Sequence, residues 1–450
     1  MDPLLTKDEF ATALRRGQGR AFRYVKEHGL DEVATLVLDA CLRDLAYDPQ
    51  CEASRAEWLF DMFKDGAPYG WLSGKILEAL RKAEPGYDFE QLCELAALMA
   101  SRGEEQAADL LRTRVLTQPF GNNDWPRGLA ALVSVDGEGA IVEIARRVGR
   151  VLLEDPATGV PTLASLTDSK ERLADFERKL SEFGQADEEI AAFMDHERRA
   201  EASDKVARSK SREERERELR EQARRDLPIE KILDHASKKQ GTFPGQYTRF
   251  GRYATESELR MVMDRLSTES DDEVSVRLLW VFRRAALPEI HPRIWELAQS
   301  KNDALRAAAV EALAQIRDER VSAFGRAQLV AGELPKIASE VIDLFTLNYQ
   351  ARGEELISAA VQRIAPSEDE AHGLGLSILR VCKKNQSPAF SGSLGWVYET
   401  TPCTICRHDA LKELVALERH TPEMIADSLF DAEEDTRKLA RAVMEEDARK

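Results

Sequence analysis

Apolar residues recur at helical spacing through most of the chain, and this periodicity constrains the fold more than any other feature. In segments such as 31–45 and 89–100, large apolar side chains return every three or four residues, as they do on one face of a helix. No segment shows sustained alternation of apolar and polar residues, the pattern of a half-buried strand. Gly29, Gly103 and Gly149 separate successive segments. We therefore predict an all-α fold of short helices.

The composition agrees with a folded helical chain. Of the 450 residues, 43% are hydrophobic, which is enough to form a large core, and only 25 are glycine and 17 proline. Aromatic residues make up 7% and charged residues 32%. These values exclude a collagen, a disulfide-rich secreted module and a mostly disordered chain.

Charge and cysteine content restrict the partners and the compartment. The formal net charge is −17, whereas a protein that coats duplex nucleic acid normally has an excess of basic residues. Any nucleic-acid contact would therefore be a local basic patch. The six cysteines are sparse, residues 1–20 lack an apolar signal segment, and no apolar run is long enough to cross a membrane. We expect a cytoplasmic protein with no membrane partner and no structural disulfide.

A charged segment divides the chain into two halves. Residues 198–225 contain eleven basic and seven acidic residues, a local net charge of +4, and almost no large apolar side chain. Such a segment cannot bury a face, so we predict a solvated helix or linker at 196–226. It separates an N-terminal helical-hairpin region, 1–195, from a C-terminal repeat domain, 227–450.

The most specific pattern lies at 291–318, where two helical segments meet at a polar turn. Ile294 and Leu297 share one face of the first segment, and Asn302-Asp303 supplies the turn and a cap for the second. The second segment has its apolar stripe at positions 305, 309, 312, 313 and 316. One such pair buries only one face, so copies of it must stack.

This pair resembles a HEAT repeat, whose unit is two antiparallel helices with Asp in the turn and Val/Leu-Arg opening the second helix. Asp303, Leu305 and Arg306 occupy those positions, and weaker copies lie at 271–285 and 421–446. The resemblance implies an antiparallel helical-hairpin solenoid with HEAT-like repeats, which is the fold that we predict.

The resemblance also implies a function, because HEAT-like arrays generally hold another macromolecule on a curved surface. Our first hypothesis is therefore a non-catalytic scaffold or adaptor that binds a protein partner. Arg277, Arg306 and Arg437 would then form a ladder between repeats and would not contact the partner. No phosphate-binding glycine loop, Gly-x-Ser-x-Gly elbow or His-Glu-x-x-His motif occurs in the sequence, which agrees with this hypothesis.

Residues 241–253 are the stretch richest in glycine and aromatic residues. Gly241, Pro244, Gly245 and Gly251 argue against a continuous helix, so we expect a loop. The candidate binding residues of this loop are four aromatic residues and two arginines: Phe243, Tyr247, Phe250, Tyr253, Arg249 and Arg252. Such residues can stack on bases and pair with phosphates. The alternative is that the aromatic rings close the end of the helical core.

The second hypothesis follows from these two basic segments. A HEAT-like nucleic-acid-binding protein, similar to the HEAT-like DNA glycosylases, would use 198–225 together with the loop at 241–253. The overall charge of −17 weighs against it.

The sharpest local motif is Thr401-Pro402-Cys403, followed by Cys406 and His408. Two cysteines three residues apart in the first turn of a helix face the same way. They are either small apolar side chains packed against a neighbouring repeat, or a redox pair, or two ligands of a zinc ion. Candidates for the remaining zinc ligands are Cys382, His408, His420 and His372.

A zinc- or redox-dependent regulator built on Cys403 and Cys406 is therefore the third hypothesis. Pro-Cys-x-x-Cys also occurs in zinc-dependent nucleobase deaminases, but those enzymes need a histidine with glutamate two residues later. None of the seven histidines has that neighbour, so we reject the deaminase interpretation.

Overall fold

A computed structural model describes residues 5–120, 125–167, 169–241, 243–330, 338–350 and 352–449, apart from the side chains at 204 and 206–208. Within these ranges every regular element is a helix, so the all-α prediction is confirmed. The chain divides into two compact units. Unit 1 comprises residues 1–210 and 426–440, and unit 2 comprises 211–425 and 441–450.

Unit 1 is a succession of helices in which each packs on its near neighbours along the chain. For example, α6 contacts α4, α5, α7 and α8, and α9 contacts α8, α10 and α11. The bounds are α1 (Lys7–Arg15), α2 (Gly19–His28), α3 (Ala34–Leu42), α4 (Ala56–Phe63), α5 (Tyr69–Lys82), α6 (Tyr87–Ser101), α7 (Glu105–Leu116), α8 (Leu129–Asp136), α9 (Glu138–Glu154), α10 (Lys170–Phe183) and α11 (Glu188–Ser209).

Local capping explains where several of these helices begin and end. Thr6 caps α1, because its hydroxyl accepts the Glu9 amide and the Glu9 carboxylate accepts the Thr6 amide. Gly103 follows α6 with a φ of +92°, a conformation that favours glycine. The helix α2 was not predicted from the sequence.

A segment from late in the chain completes unit 1. The Ala432 amide donates to the Gly17 carbonyl oxygen at 2.9 Å, and the Trp58 indole donates to the Phe430 carbonyl oxygen at 2.8 Å. The ring of Phe430 also stacks on that of Phe22. Residues 426–440 are therefore packed on the first helices of the chain, an association that the sequence did not predict.

Unit 2 contains two series of stacked helices. In one series α16, α18, α20, α23 and α25 each pack on the next, and in the other α19, α22 and α24 do so. The bounds are α12 (Arg212–Asp226), α13 (Ile229–Ser237), α14 (Gly245–Tyr253), α15 (Glu256–Thr268), α16 (Asp272–Trp280), α17 (Pro292–Leu297), α18 (Asp303–Leu313), α19 (Glu319–Val330), α20 (Ala338–Asp343), α21 (Phe345–Asn348), α22 (Gly353–Val361), α23 (Glu368–Asn385), α24 (Ser391–Thr400) and α25 (Thr404–Ala416).

Five further helices complete the described chain. Two of them are α26 (Pro422–Ser428) and α27 (Glu434–Asp447), which fall largely within the weaker repeat copy at 421–446. Three-residue 3-10 helices span Leu163–Ser165, Val281–Arg283 and Pro388–Phe390.

The helix pair predicted at 291–318 is present as α17 and α18. The Asn302 side chain accepts the amides of Ala304 and Leu305 and so caps α18. Four of the five predicted stripe residues are buried, namely Leu305, Ala309, Ala312 and Leu313, whereas Ile316 lies beyond the end of α18 and is half-buried.

Two predictions near the middle of the chain were wrong in detail. Residues 245–253 form the helix α14, because Gly251 allows this helix to lie directly against the backbone of Val281. The charged segment is two helices that meet at Lys210, since Ser211 and Glu214 form a capping box that starts α12. The second of these helices packs on α14 and buries Ala223.

The turns of unit 2 are joined by polar bonds. Of the three arginines expected to form a ladder, Arg277 bonds to another turn, whereas Arg306 and Arg437 bond within their own turns. Lys239 pairs with Asp271 at 2.8 Å, and the Asn302 amide group donates to Asp272 at 3.0 Å. Arg277 donates to the Lys239 carbonyl oxygen of the preceding turn at 3.0 Å, whereas Arg306 donates to the Ser300 carbonyl oxygen of its own turn at 2.7 Å. In unit 1, Arg437 likewise donates to nearby carbonyl oxygens, those of Asp431 and Ala432.

Candidate functional site

A groove of about 810 Å³ runs across successive elements of unit 2, and several basic side chains line it. Its walls come from α12, α14, α18, α20 and α23 and from the segment after α16. Five arginines line this groove, which we call the arginine groove: Arg249, Arg252, Arg283, Arg284 and Arg380. Two of them, Arg249 and Arg252, were predicted as binding residues, and they lie on one face of α14 because they are three residues apart.

Most of these arginines already have an acidic neighbour. Arg252 pairs with Glu216 at 3.1 Å, and Arg249 lies 3.9 Å from Asp226, both partners being on α12. Arg283 pairs with Glu311 at 3.0 Å.

Arg380 and Arg284 complete the basic lining. Arg380 pairs with Asp343. Arg284 is exposed, and it makes no hydrogen bond or ion pair with any other residue that the structure describes. Its guanidinium therefore keeps its donors available for an anionic ligand.

Two carboxyl groups in the arginine groove have perturbed acidity. Burial raises the pKa of Glu311 to about 7, and the negative charges of Glu340 and Asp343 act in the same direction, while Arg283 opposes them. Burial also raises the pKa of Asp343, against the influence of Arg380. The net positive charge of the groove therefore increases as the pH falls through 7.

The aromatic residues predicted to accompany Arg249 and Arg252 are mostly part of the core. Tyr247 and Phe250 are buried, and the Tyr247 hydroxyl donates to the Gln240 carbonyl oxygen at 2.8 Å. Tyr253 borders the groove but is only 8% exposed, whereas Phe243 is 78% exposed and does not line it. The structure thus brings the arginines together without a platform of aromatic faces. The alternative interpretation, that the rings close the core, holds for Tyr247, Phe250 and Tyr253 but not for Phe243.

Unit 1 has a groove of similar size but of different character. It measures about 790 Å³ and lies between α10 and α11. Its charged lining consists of Glu177, Glu197, Glu201 and Arg198, so acidic residues predominate. The concentration of arginines is therefore a property of the groove in unit 2.

The cysteine motif of unit 2 lies where α25 begins. Cys403 is the N-cap residue of α25, and Cys406 lies in its first turn. The helix α23 packs on α25 and brings His372 to the same place. The ligand atoms of His372, Cys403 and Cys406 all lie within 4.8 Å of one another.

The three other candidates for zinc ligands, Cys382, His408 and His420, lie outside this group. Cys382 is on α23, ten residues from His372, which corresponds to about 15 Å along a helix. His408 follows Cys406 by two residues on α25, and residues at that spacing point to different sides of a helix. Burial raises the pKa of the Cys382 thiol, as expected for a cysteine that is part of the core.

None of the helices in the described ranges has both the length and the apolar character needed to cross a membrane. Among protein-family models and curated proteins, none matches this chain.

Proposed function

We propose that the protein is a non-catalytic scaffold of HEAT-like helix pairs and that its arginine groove binds an acidic segment of a protein partner. The observation that carries the proposal is the convergence on one groove of five arginines from three parts of unit 2, namely α14, the segment after α16 and α23. The stacked helix pairs of unit 2 support the solenoid part of the proposal, since stacking is how helical repeats bury their faces.

Carboxylate groups suit this groove better than a nucleic-acid strand does. The planar guanidinium of arginine pairs in a bidentate geometry with carboxylate and with phosphate alike, so the other features of the groove decide between the two ligands. Binding of single strands relies on exposed aromatic faces as well as on charge, and Tyr247, Phe250 and Tyr253 are buried. The net charge of −17 also opposes the approach of a long polyanion.

The carboxylates of a short acidic peptide can replace the protein's own acidic residues as partners of the groove arginines. The acidic groups now paired with Arg249, Arg252, Arg283 and Arg380 belong to the protein itself, and these arginines are all partly exposed. The pairs of Arg249 and Arg252 with α12 are exposed on both sides and contribute only about 0–1 kcal/mol each, so a carboxylate of the partner can replace them at small cost. A cytoplasmic location accompanies this proposal, and the six cysteines, which form no disulfide with one another, are compatible with a reducing compartment.

Fluorescence anisotropy with two defined probes tests the proposal. The probes are a short oligoglutamate peptide and a single-stranded DNA oligonucleotide of the same charge. We expect the peptide to bind more tightly than the oligonucleotide, with an affinity that falls as salt is added. Arg284→Glu should weaken peptide binding by about tenfold or more, because it places a repulsive charge in the groove.

Arg260→Glu is the matched control. Arg260 is an exposed arginine of α15 that pairs with Glu256 and lies outside the groove. An equal loss of binding in the two variants would contradict a specific groove. Tighter binding of the oligonucleotide, abolished by Arg284→Glu, would support the nucleic-acid hypothesis instead.

A further inference from the structure

Three side chains with metal-binding chemistry meet in unit 2, away from the residues that line the arginine groove. His372 comes from α23, and Cys403 and Cys406 come from the start of α25. The two cysteines are buried, and the histidine is half-buried. No other set of three such residues is this close together in the part of the chain that the structure describes.

The spacing of the ligand atoms fits a tetrahedral ion. Zinc binds cysteine sulfur at about 2.3 Å and histidine nitrogen at about 2.0–2.1 Å, so ligand atoms around one ion are about 3.5–4 Å apart. The three ligand atoms lie within 4.8 Å of one another. Small rotations of the side chains therefore suffice to place all three on one ion.

The local backbone holds the two sulfur atoms in position. The Cys403 amide donates to the Thr401 hydroxyl at 3.4 Å, and the Arg407 amide donates to the Cys403 carbonyl oxygen at 3.1 Å as α25 begins. The thiols therefore lie at the N-terminus of a helix, where the helix dipole favours negative charge on sulfur.

The approach of α23 brings the histidine to them. Gly375, one turn after His372, has no side chain, and a β-carbon there would be 3.4 Å from Val397 and 4.0 Å from the Thr401 hydroxyl oxygen. These are ordinary van der Waals distances, and they show that this face of α23 lies next to Thr401, two residues before Cys403. The geometry is thus produced by helix packing between two elements that are distant in sequence.

We propose that His372, Cys403 and Cys406 bind one zinc ion. Thiolate and imidazole ligands select zinc over magnesium and calcium, which prefer oxygen. Two thiolates neutralise the ion, which suits a buried site. Three protein ligands leave the fourth position for a water molecule, as in zinc sites that exchange a ligand.

The bound ion would link α23 to α25. Its binding stabilises only the folded arrangement, because the unfolded chain does not hold the three residues together. The site therefore couples the stability of the last helix pairs of unit 2 to the supply of zinc.

Elemental analysis and cobalt substitution of the full chain test the proposal. After refolding with zinc and removal of free metal, we expect one zinc per chain. Cobalt in its place should give thiolate-to-cobalt charge-transfer bands in the near ultraviolet and the intense visible bands of a tetrahedral ion. Azide should shift the visible bands if the fourth position holds water. Chelation should lower the melting temperature.

Variants separate the three ligands from similar residues nearby. His372→Ala, Cys403→Ser and Cys406→Ser should each weaken zinc binding by about tenfold or more. Cys382→Ser, on the same helix as His372, and His408→Ala, on the same helix as the cysteines, should leave it unchanged. Circular dichroism identifies any variant that fails to fold. The cobalt spectrum of the unaltered chain tests the site even if a variant does so.

The proposal is overturned by trace zinc in the reconstituted chain, by preferential binding of iron or copper, or by cobalt spectra without thiolate bands. Retention of stoichiometric zinc in a double variant of Cys403 and Cys406 overturns it equally. The two cysteines would then be packing residues or a redox pair.

Discussion

Gly251 is packed so closely on Val281 that a β-carbon at position 251 would lie 1.9 Å from the Val281 carbonyl oxygen. The helix α14 therefore depends on the absence of a side chain at this point. Gly251→Ala should destabilise the protein by about 2–4 kcal/mol, because the helix has to move away from Val281. The midpoint of urea unfolding measures the loss.

Gly245, at the start of the same helix, provides the control. A β-carbon there would meet nothing within 4 Å. Gly245→Ala should be neutral or stabilise by up to about 1 kcal/mol, since alanine is the better helix former. Equal stability of Gly251→Ala and the unaltered chain would contradict the close packing.

Trp58 attaches the late segment 426–440 to unit 1 through its bond to the Phe430 carbonyl oxygen. Trp58→Phe removes the donor and part of the buried ring, which should cost about 1–3 kcal/mol. Amide hydrogen exchange should become faster in 426–440 before it does so elsewhere in unit 1. Trp71→Phe is the control, because Trp71 is 44% exposed, and faster exchange in both variants would contradict a specific role for Trp58.

Asn302 has two functions that different substitutions can separate. Its side-chain oxygen caps α18, and its side-chain nitrogen donates to Asp272 of the preceding turn. Asn302→Ala loses both interactions and should cost about 1–2 kcal/mol, whereas Asn302→Ser keeps the cap and should lose less. Thermal melting should therefore rank the unaltered chain above the serine variant and the serine variant above the alanine variant. Equal melting of the two variants would mean that the cap contributes nothing.

Glu311 should make stability depend on pH between about 4.5 and 7. Its pKa is raised from the ordinary value of 4.5 to about 7 in the folded protein. Because the pKa is raised in the folded protein, protonation of Glu311 favours folding. This contribution to stability is fully present below pH 4.5 and is lost as the pH rises through 7.

Glu311→Gln should therefore have little effect at pH 5 and stabilise the protein by about 2–3 kcal/mol at pH 8. Arg283, Glu340 and Asp343 influence the same group. Each variant is therefore compared with the unaltered chain at the same pH, so that these neighbours carry the same charges in both proteins. Glu319→Gln, at an exposed position of α19, should show no such difference. Urea unfolding at the two pH values decides, and a stabilisation that is the same at both would contradict the raised pKa.

The helix pair at 291–318 could be predicted because its signals are local. The cap at Asn302 and the stripe that includes Leu305 and Leu313 lie within one stretch of chain, and both are present in the structure. The all-α class followed from the same kind of periodicity.

The helix α14 could not be predicted, because the interaction that stabilises it is a tertiary contact and not a local sequence preference. Glycine in a helix costs about 1 kcal/mol relative to alanine, which argued against a helix at 245–253. The close approach of Gly251 to Val281 outweighs that cost. By contrast, the break at Lys210 has a local sequence signal, because Ser211 and Glu214 have the spacing of a capping box within the charged segment.

The candidate sites were predictable only in part. The spacing of Cys403 and Cys406 shows that they share a helix face, but the sequence offered several histidines and no means of choosing among them. His372 lies 31 residues before Cys403, and only the packing of α23 on α25 selects it. Arg283, Arg284 and Arg380 were missed for the same reason, since separate elements bring them to Arg249 and Arg252.

The attachment of residues 426–440 to the first helices has a consequence for the order of folding during synthesis. Unit 1 includes the first helices of the chain, yet it lacks the partner of Trp58 and Gly17 until the ribosome has made all of 211–425. Part of the apolar surface of the nascent N-terminal half therefore stays exposed to solvent. Unit 1 can complete its packing only after the segment that carries Phe430 and Ala432 has emerged.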